Sequence, residues 1–157
     1  MQQLTNAHDT SRVRILSLAI PPEEESGSTN VGEAILLADA EFSSPRHNGD
    51  ARKIAVLLTD GRANTPVDPG GEPYALEQAG SAKAHDVIFY TIGLGDKVNQ
   101  DFLRNLAGSN DRAFFAASRT ELNQIYREIS ADLCERGAAV IDIIPKTQDA
   151  FIVEGID

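Results

Sequence analysis

Lys53-Ile54-Ala55-Val56-Leu57-Leu58-Thr59-Asp60-Gly61 reads as a buried strand that ends in a carboxylate. Residues 54–58 are apolar without interruption. That is the pattern of a parallel strand covered on both faces, not of a half-exposed strand with alternating polarity. Open parallel sheets gather their ligand crevice at the carboxyl ends of the strands. Asp60 therefore stands where chemistry is expected, although Asp-Gly is also a common turn pair.

Upstream, Gly27-Ser28-Thr29-Asn30-Val31-Gly32-Glu33 opens a helix with hydroxyl residues. The spacing predicts that helix over 30–42, with Val31, Ala34, Ile35, Ala38 and Phe42 on one face. Thr29 is a candidate oxygen ligand there. Its competing role is to cap the helix, with Asn30 and Ser28 as rivals. A hydroxyl and a carboxylate brought together at strand ends form a hard-oxygen pair suited to Mg2+ or another divalent cation. Farther upstream, Val13, Leu16 and Ile20 recur at roughly helical spacing, which predicts a helix over 9–19 closed by Pro21-Pro22. Glu23-Glu24-Glu25 then reads as an exposed linker.

Downstream, residues 60–73 are rich in Gly, Pro, Asn and Asp and read as a long loop. A helix follows over 74–85, with Leu76, Ala79 and Ala82 or Lys83 facing in. Val87-Ile88-Phe89-Tyr90-Thr91-Ile92 is a second buried strand, expected parallel to the first and ended by Gly93-Leu94-Gly95-Asp96. Residues 99–107 read as a short helix and 113–116 as a short strand. Thr120 is the expected cap of the last clear helix, whose inward stripe is Leu122, Ile125, Ile129 and Leu133 up to Gly137. One more strand is expected over 139–144, and the remainder is read as a tail. Strands and helices that alternate in this way build a mainly parallel α/β sheet.

At 157 residues the chain has the size of one domain, with an ordinary 41% apolar share. Its 14 basic and 24 acidic residues leave a net charge of -10, which argues against a nucleic-acid surface and suits cation binding. Cys134 is the one cysteine, so no internal disulfide is expected. Residues 1–6 lack the pattern of a signal peptide, and no apolar run reaches membrane-spanning length. His8, His47 and His85 stand isolated in sequence and are expected to be solvated. The run 93–98 lacks the third glycine of a dinucleotide loop, and no nucleophile elbow or phosphate-binding glycine motif occurs.

Three blocks together resemble successive segments of the von Willebrand factor type A domain. They are Gly27-Ser28-Thr29-Asn30-Val31-Gly32-Glu33-Ala34, Ile54-Ala55-Val56-Leu57-Leu58-Thr59-Asp60-Gly61 and Val87-Ile88-Phe89-Tyr90-Thr91-Ile92-Gly93-Leu94-Gly95. The resemblance implies a Rossmann-like, mainly parallel sheet flanked by helices. It also implies a metal-ion-dependent adhesion site, at which Mg2+ (or Mn2+ or Ca2+) bridges the domain to an acidic residue on a protein partner. Thr29 matches the family's threonine ligand and Asp60 its later aspartate. The family's Asp-x-Ser-x-Ser is absent: Asp9-Thr10-Ser11-Arg12-Val13 offers only an Asp-x-Ser, with no apolar strand before it.

The resemblance thus implies an incomplete fold, entered late and missing its first strands, with a partial domain over 4–136 and a strand and tail over 137–157. The 54–59 strand, deprived of neighbours, would be an exposed apolar edge. The expected function is a non-enzymatic, divalent-cation-dependent protein-binding domain for adhesion or assembly, with the metal weakly held or absent. The alternatives are a Mg2+-dependent phosphoryl-transfer or hydrolase domain that uses Asp60 beside Arg62, and a metal-free structural remnant. The 69–76 loop and the 134–146 tail are similar to bacterial, pilus-associated members, which would place the full-length protein in the cell envelope or outside the cell.

Overall fold

The apolar run forms strand β1 (Lys53–Thr59), and its side chains alternate between two cores. Ala55 and Leu57 enter one, Ile54 and Val56 the other. The computed structural model of the chain describes residues 9, 10, 12, 13, 17, 28–136, 139–145 and 150–155, with side chains up to residue 134. The helix expected over 9–19, the Glu23-Glu24-Glu25 run, His8 and Gly137 lie wholly or largely outside them.

Strand β2 (Ile88–Leu94) runs parallel to β1, with Ile54 opposite Ile88 and Thr59 opposite Gly93, as expected. Strand β3 (Ala113–Ala116) continues the sheet in parallel beyond β2. Helices α1 (Val31–Phe42), α2 (Gly71–Ala84) and α3 (Gln100–Ala107) share one core, in which Ile35, Phe42, Ala79 and Leu103 surround Leu57 and Phe89. Helix α4 (Arg119–Arg136) lies on the other core, where Ile125, Ile129 and Leu133 join Ile54, Val56 and Ile92. Its expected inward stripe is therefore the observed one. The Tyr90 hydroxyl also donates to Asp132, tying β2 to α4.

Four elements differ from the sequence reading. Helix α2 starts at Gly71, because Pro73 fits the first helical turn, where its missing N–H costs nothing. Strand β2 runs through Gly93 to Leu94. A Cβ at Gly93 would lie 2.9–3.0 Å from Leu103, Val98 and Phe115, so the glycine lets α3 close on the sheet. The cap of α4 is Ser118 and not Thr120: Ser118 Oγ accepts from Glu121 N at 3.2 Å while Glu121 Oε2 accepts from Ala117 N at 2.8 Å. This is a variant of the capping box, in which Glu121 reaches back to the N–H of the residue before the cap.

The largest difference is at the C-terminal end. Strand β4 (Ala139–Pro145) pairs in parallel with β1, from Lys53 opposite Ala139 to Leu57 opposite Ile143. The presumed tail then folds back as β5 (Ala150–Gly155), antiparallel to β4. The strand order is β3-β2-β1-β4-β5, so β1 is central and the edge expected to be free is covered by the chain itself. Among the described residues, no helix is long and apolar enough to cross a membrane.

Candidate cation and partner site

The turn after β1 is set by Thr59, whose hydroxyl donates to Gly61 O at 3.1 Å and accepts from Gly61 N at 3.3 Å. Thr59 is buried and Asp60 is exposed, so the turn keeps the threonine inside and presents the carboxylate outside. Serine and threonine hydroxyls make such local backbone bonds readily at turns.

Thr29 reaches the same turn from the entry to α1. Thr29 N donates to Asn64 Oδ1 at 2.7 Å, and Thr29 O accepts from Asn64 N at 3.1 Å and Thr65 N at 3.3 Å. Ser28 Oγ lies 2.7 Å from Thr65 Oγ1. A Cβ placed on Gly61 would lie 4.0 Å from Thr29 Oγ1, so the Thr29 hydroxyl faces the residue next to Asp60. Asn30 caps α1, its Oδ1 accepting from Glu33 N at 3.0 Å. The rivalry over the cap is thereby settled in favour of Asn30, and the Thr29 hydroxyl is not consumed by the helix. Neither that hydroxyl nor the Asp60 carboxylate has a hydrogen bond or ion pair among the described residues.

The donor set is that of a hard cation, and it is sparse. Among the described residues, no group of three His, Cys, Asp or Glu side chains could hold a metal ion. A hydroxyl and a carboxylate would leave most of a cation's coordination shell to water. Ser28 is spent on Thr65, in keeping with its reading as loop. Arg62 is exposed.

Several residues that shape this crevice carry no motif. Gly71 abuts the loop after β1 so closely that a Cβ there would lie 2.5 Å from Ala63 C and 2.6 Å from Ala63 O and Asn64 N. Gly32 leaves no room for a side chain against the Tyr74 ring, whose hydroxyl donates to Glu33 Oε2 at 3.4 Å. Burial, and then the Glu33 charge, raise the Tyr74 pKa above its ordinary value. Glu72 Oε2 accepts from Asn99 Nδ2 at 2.8 Å, which joins the start of α2 to the loop after β2. The other oxygen, Oε1, is buried without a hydrogen bond among the described residues. Val67, 93% exposed, stands on the 60–70 loop. Two histidines expected to stand isolated have partners: His85, exposed as expected, has Nδ1 2.9 Å from Asp39 Oδ2, and His47 packs edge-on against Phe42. Asp39 and His85 meet only once α1 has folded against the end of α2.

A model of the von Willebrand factor type A domain matches residues 3–128, a span that includes Thr29 and Asp60 and stops short of β4. The collagen alpha-6(VI) chain of Homo sapiens is 23% identical over 148 residues, which is 92% of this chain and 6% of that one. The collagen alpha-5(VI) chain of Mus musculus is 32% identical over 83 residues, 52% of this chain and 3% of its own length. Cuticlin-6 of Caenorhabditis elegans is 30% identical over 102 residues, 65% of this chain and 16% of its own. The chain therefore spans only a small part of the relatives that it matches.

Proposed function

Because this chain belongs to the von Willebrand factor type A domain family, we propose that it is a non-enzymatic protein-binding domain whose contact surface is the crevice at the carboxyl ends of β1 and β2. The observation that carries the reading is the pair of unspent oxygens: Thr29 and Asp60 sit on segments fixed to one another by backbone bonds, yet their side chains have no protein partner among the described residues. A site whose framework is fixed and whose donors are free is organised for something outside the chain. Thr29 Oγ1 would hold Mg2+, or Mn2+ or Ca2+, and Asp60 would hold the ion or its water. The bound ion would offer an open position to an acidic residue of the partner, and the 60–70 loop with Val67 would shape the surrounding surface.

The names of the relatives, collagen chains and a cuticlin, support adhesion or assembly in an extracellular setting. A pilus-associated, cell-envelope setting rests on the 69–76 and 134–146 likeness alone.

Mn2+ titration followed by amide NMR tests the reading. Selective broadening at Thr29, Asp60 and Gly61 is expected, saturating on the order of millimolar. It should vanish in Asp60→Ala and Thr29→Ala, and neither change should shift stability by more than about 0.5 kcal/mol, since neither side chain is bonded. Broadening spread evenly over the acidic surface would reject the cation site. Binding to a partner that survives both substitutions and chelation would point to a metal-free surface.

A further inference from the structure

The amino ends of β1 and β2 lie at the opposite end of the sheet from Thr29 and Asp60, and there the surface opens into a cleft of about 780 Å³. Arg52, Lys53 and Lys83 line it, against one carboxylate, Asp86. This is a concentration of cations in a chain of net charge -10. Of the acids on the adjoining end of α1, Glu41 is paired with Arg46 at 2.7 Å, while Asp39 lies 2.9 Å from His85 Nδ1, a contact that cancels its charge only when the imidazole is protonated.

The ammonium groups are held in place by neutral acceptors. Lys53 Nζ donates to His85 O at 3.0 Å and Lys83 Nζ to Asn105 O at 3.2 Å. A carbonyl fixes a lysine without cancelling its charge. His85 O, at the end of α2, does bring part of the helix's negative pole, which offsets a fraction of one unit. Arg52 is exposed and has no ion pair among the described residues. Lys83 Nζ lies 3.1 Å from the Cβ position of Gly108, so its ammonium sits at the C-terminal end of α3, beside the cleft, where burial and then the charge of Arg112 lower its pKa.

We propose that this cleft binds a multiply charged oxyanion ligand bearing sulfate or phosphate groups, with Arg52 as the forked donor and Lys53 as a fixed point charge. Guanidinium matches two oxygens of such a group at once, and ammonium adds field without geometry. The volume falls within the range of small-molecule sites and exceeds the needs of a single ion. A ligand with two or more charged groups therefore suits it.

The probes are sodium sulfate and sodium pyrophosphate, titrated by amide NMR at constant ionic strength set with NaCl. Saturable shifts at Arg52, Lys53, Asp86 and Ile88 are expected, with pyrophosphate the tighter probe. Arg52→Ala, at an exposed position with no bond to lose, should weaken binding at least about tenfold. Asp86→Asn should strengthen it by removing the opposing charge, and asparagine tolerates the backbone found there, φ 66°. Linear shifts that NaCl reproduces, or equal affinity in Arg52→Ala and the unmodified chain, would overturn the proposal.

Discussion

Gly71→Ala is the most direct test of how the candidate site is held. Gly71 lies in the first turn of α2, and its new methyl carbon would meet Ala63 C at 2.5 Å and Ala63 O and Asn64 N at 2.6 Å. All three are backbone atoms, so no side-chain rotation relieves the overlap; the loop after β1 must move. Forcing extra carbon into a packed site costs about 1–3 kcal/mol. Against this stands a helical preference for alanine over glycine of at most about 1 kcal/mol. The net expectation is a loss of about 1–2 kcal/mol. At about 2–4 °C per kcal/mol for a chain of this size, that is a fall in Tm of about 2–8 °C. Gly80, on the same helix, provides the control: it is exposed with nothing within 4 Å of its Cβ position, so Gly80→Ala should gain about 0.5–1 kcal/mol. Circular dichroism melts and urea titrations of both variants decide the matter. If both substitutions raise Tm alike, the close approach of α2 to the 60–70 loop is not real, and the framework argued for Thr29 fails with it. The displaced Asn64 N, which donates to Thr29 O, should also move the Thr29 amide resonance in Gly71→Ala alone.

Three further outcomes are expected. Ser118→Ala should cost about 1 kcal/mol and Thr120→Ala less than about 0.5 kcal/mol in urea unfolding, since Ser118 makes the capping bond; the reverse order would return the cap to Thr120. Removal of residues 137–157 should strip β1 of its β4 partner and produce concentration-dependent association in sedimentation, whereas a chain that stays monomeric would show that β4 does not shield that edge. Tyr74 should titrate above an ordinary tyrosine by ring-carbon NMR, and Glu33→Gln should bring it part of the way back. Because the folded value is the raised one, this stabilising contribution is intact below about pH 10 and is lost as pH climbs through the folded value; an unchanged Tyr74 titration in Glu33→Gln would remove Glu33 as a cause.

The sheet was legible wherever sequence left one interpretation. Residues 54–58 offer no polar face, so burial on both sides was forced, and the two runs at 54–59 and 87–92 had to be neighbours joined by a helix. The start of α2 was hidden because Gly70-Gly71-Glu72-Pro73 reads as a loop, although proline is at home in a first helical turn. Strand β5 was hidden because the apolar run Ala150-Phe151-Ile152-Val153 is only four residues long, too short to mark a strand on its own. At the candidate site, Thr29 and Asp60 were visible through their family blocks. Which residue caps α1 was not, because Ser28, Thr29 and Asn30 all have capping side chains and only the folded backbone selects Asn30. Asn64, Glu72 with Asn99, and Asp39 with His85 carried no local signal, since each acts on a partner 27 to 46 residues away.

The position of β1 has a consequence for how the molecule is made. Its β2 partner begins at Ile88, but its other partner does not begin until Ala139. A chain emerging from the ribosome at about 5–20 residues per second therefore presents β1 with one open flank for several seconds after β2 has been synthesised. During that interval β1 depends on α1, α2 and the β2 ladder to stay out of reach of other nascent chains. The segment that completes the centre of the sheet is translated well after β2, so its arrival marks the point at which this sheet can close.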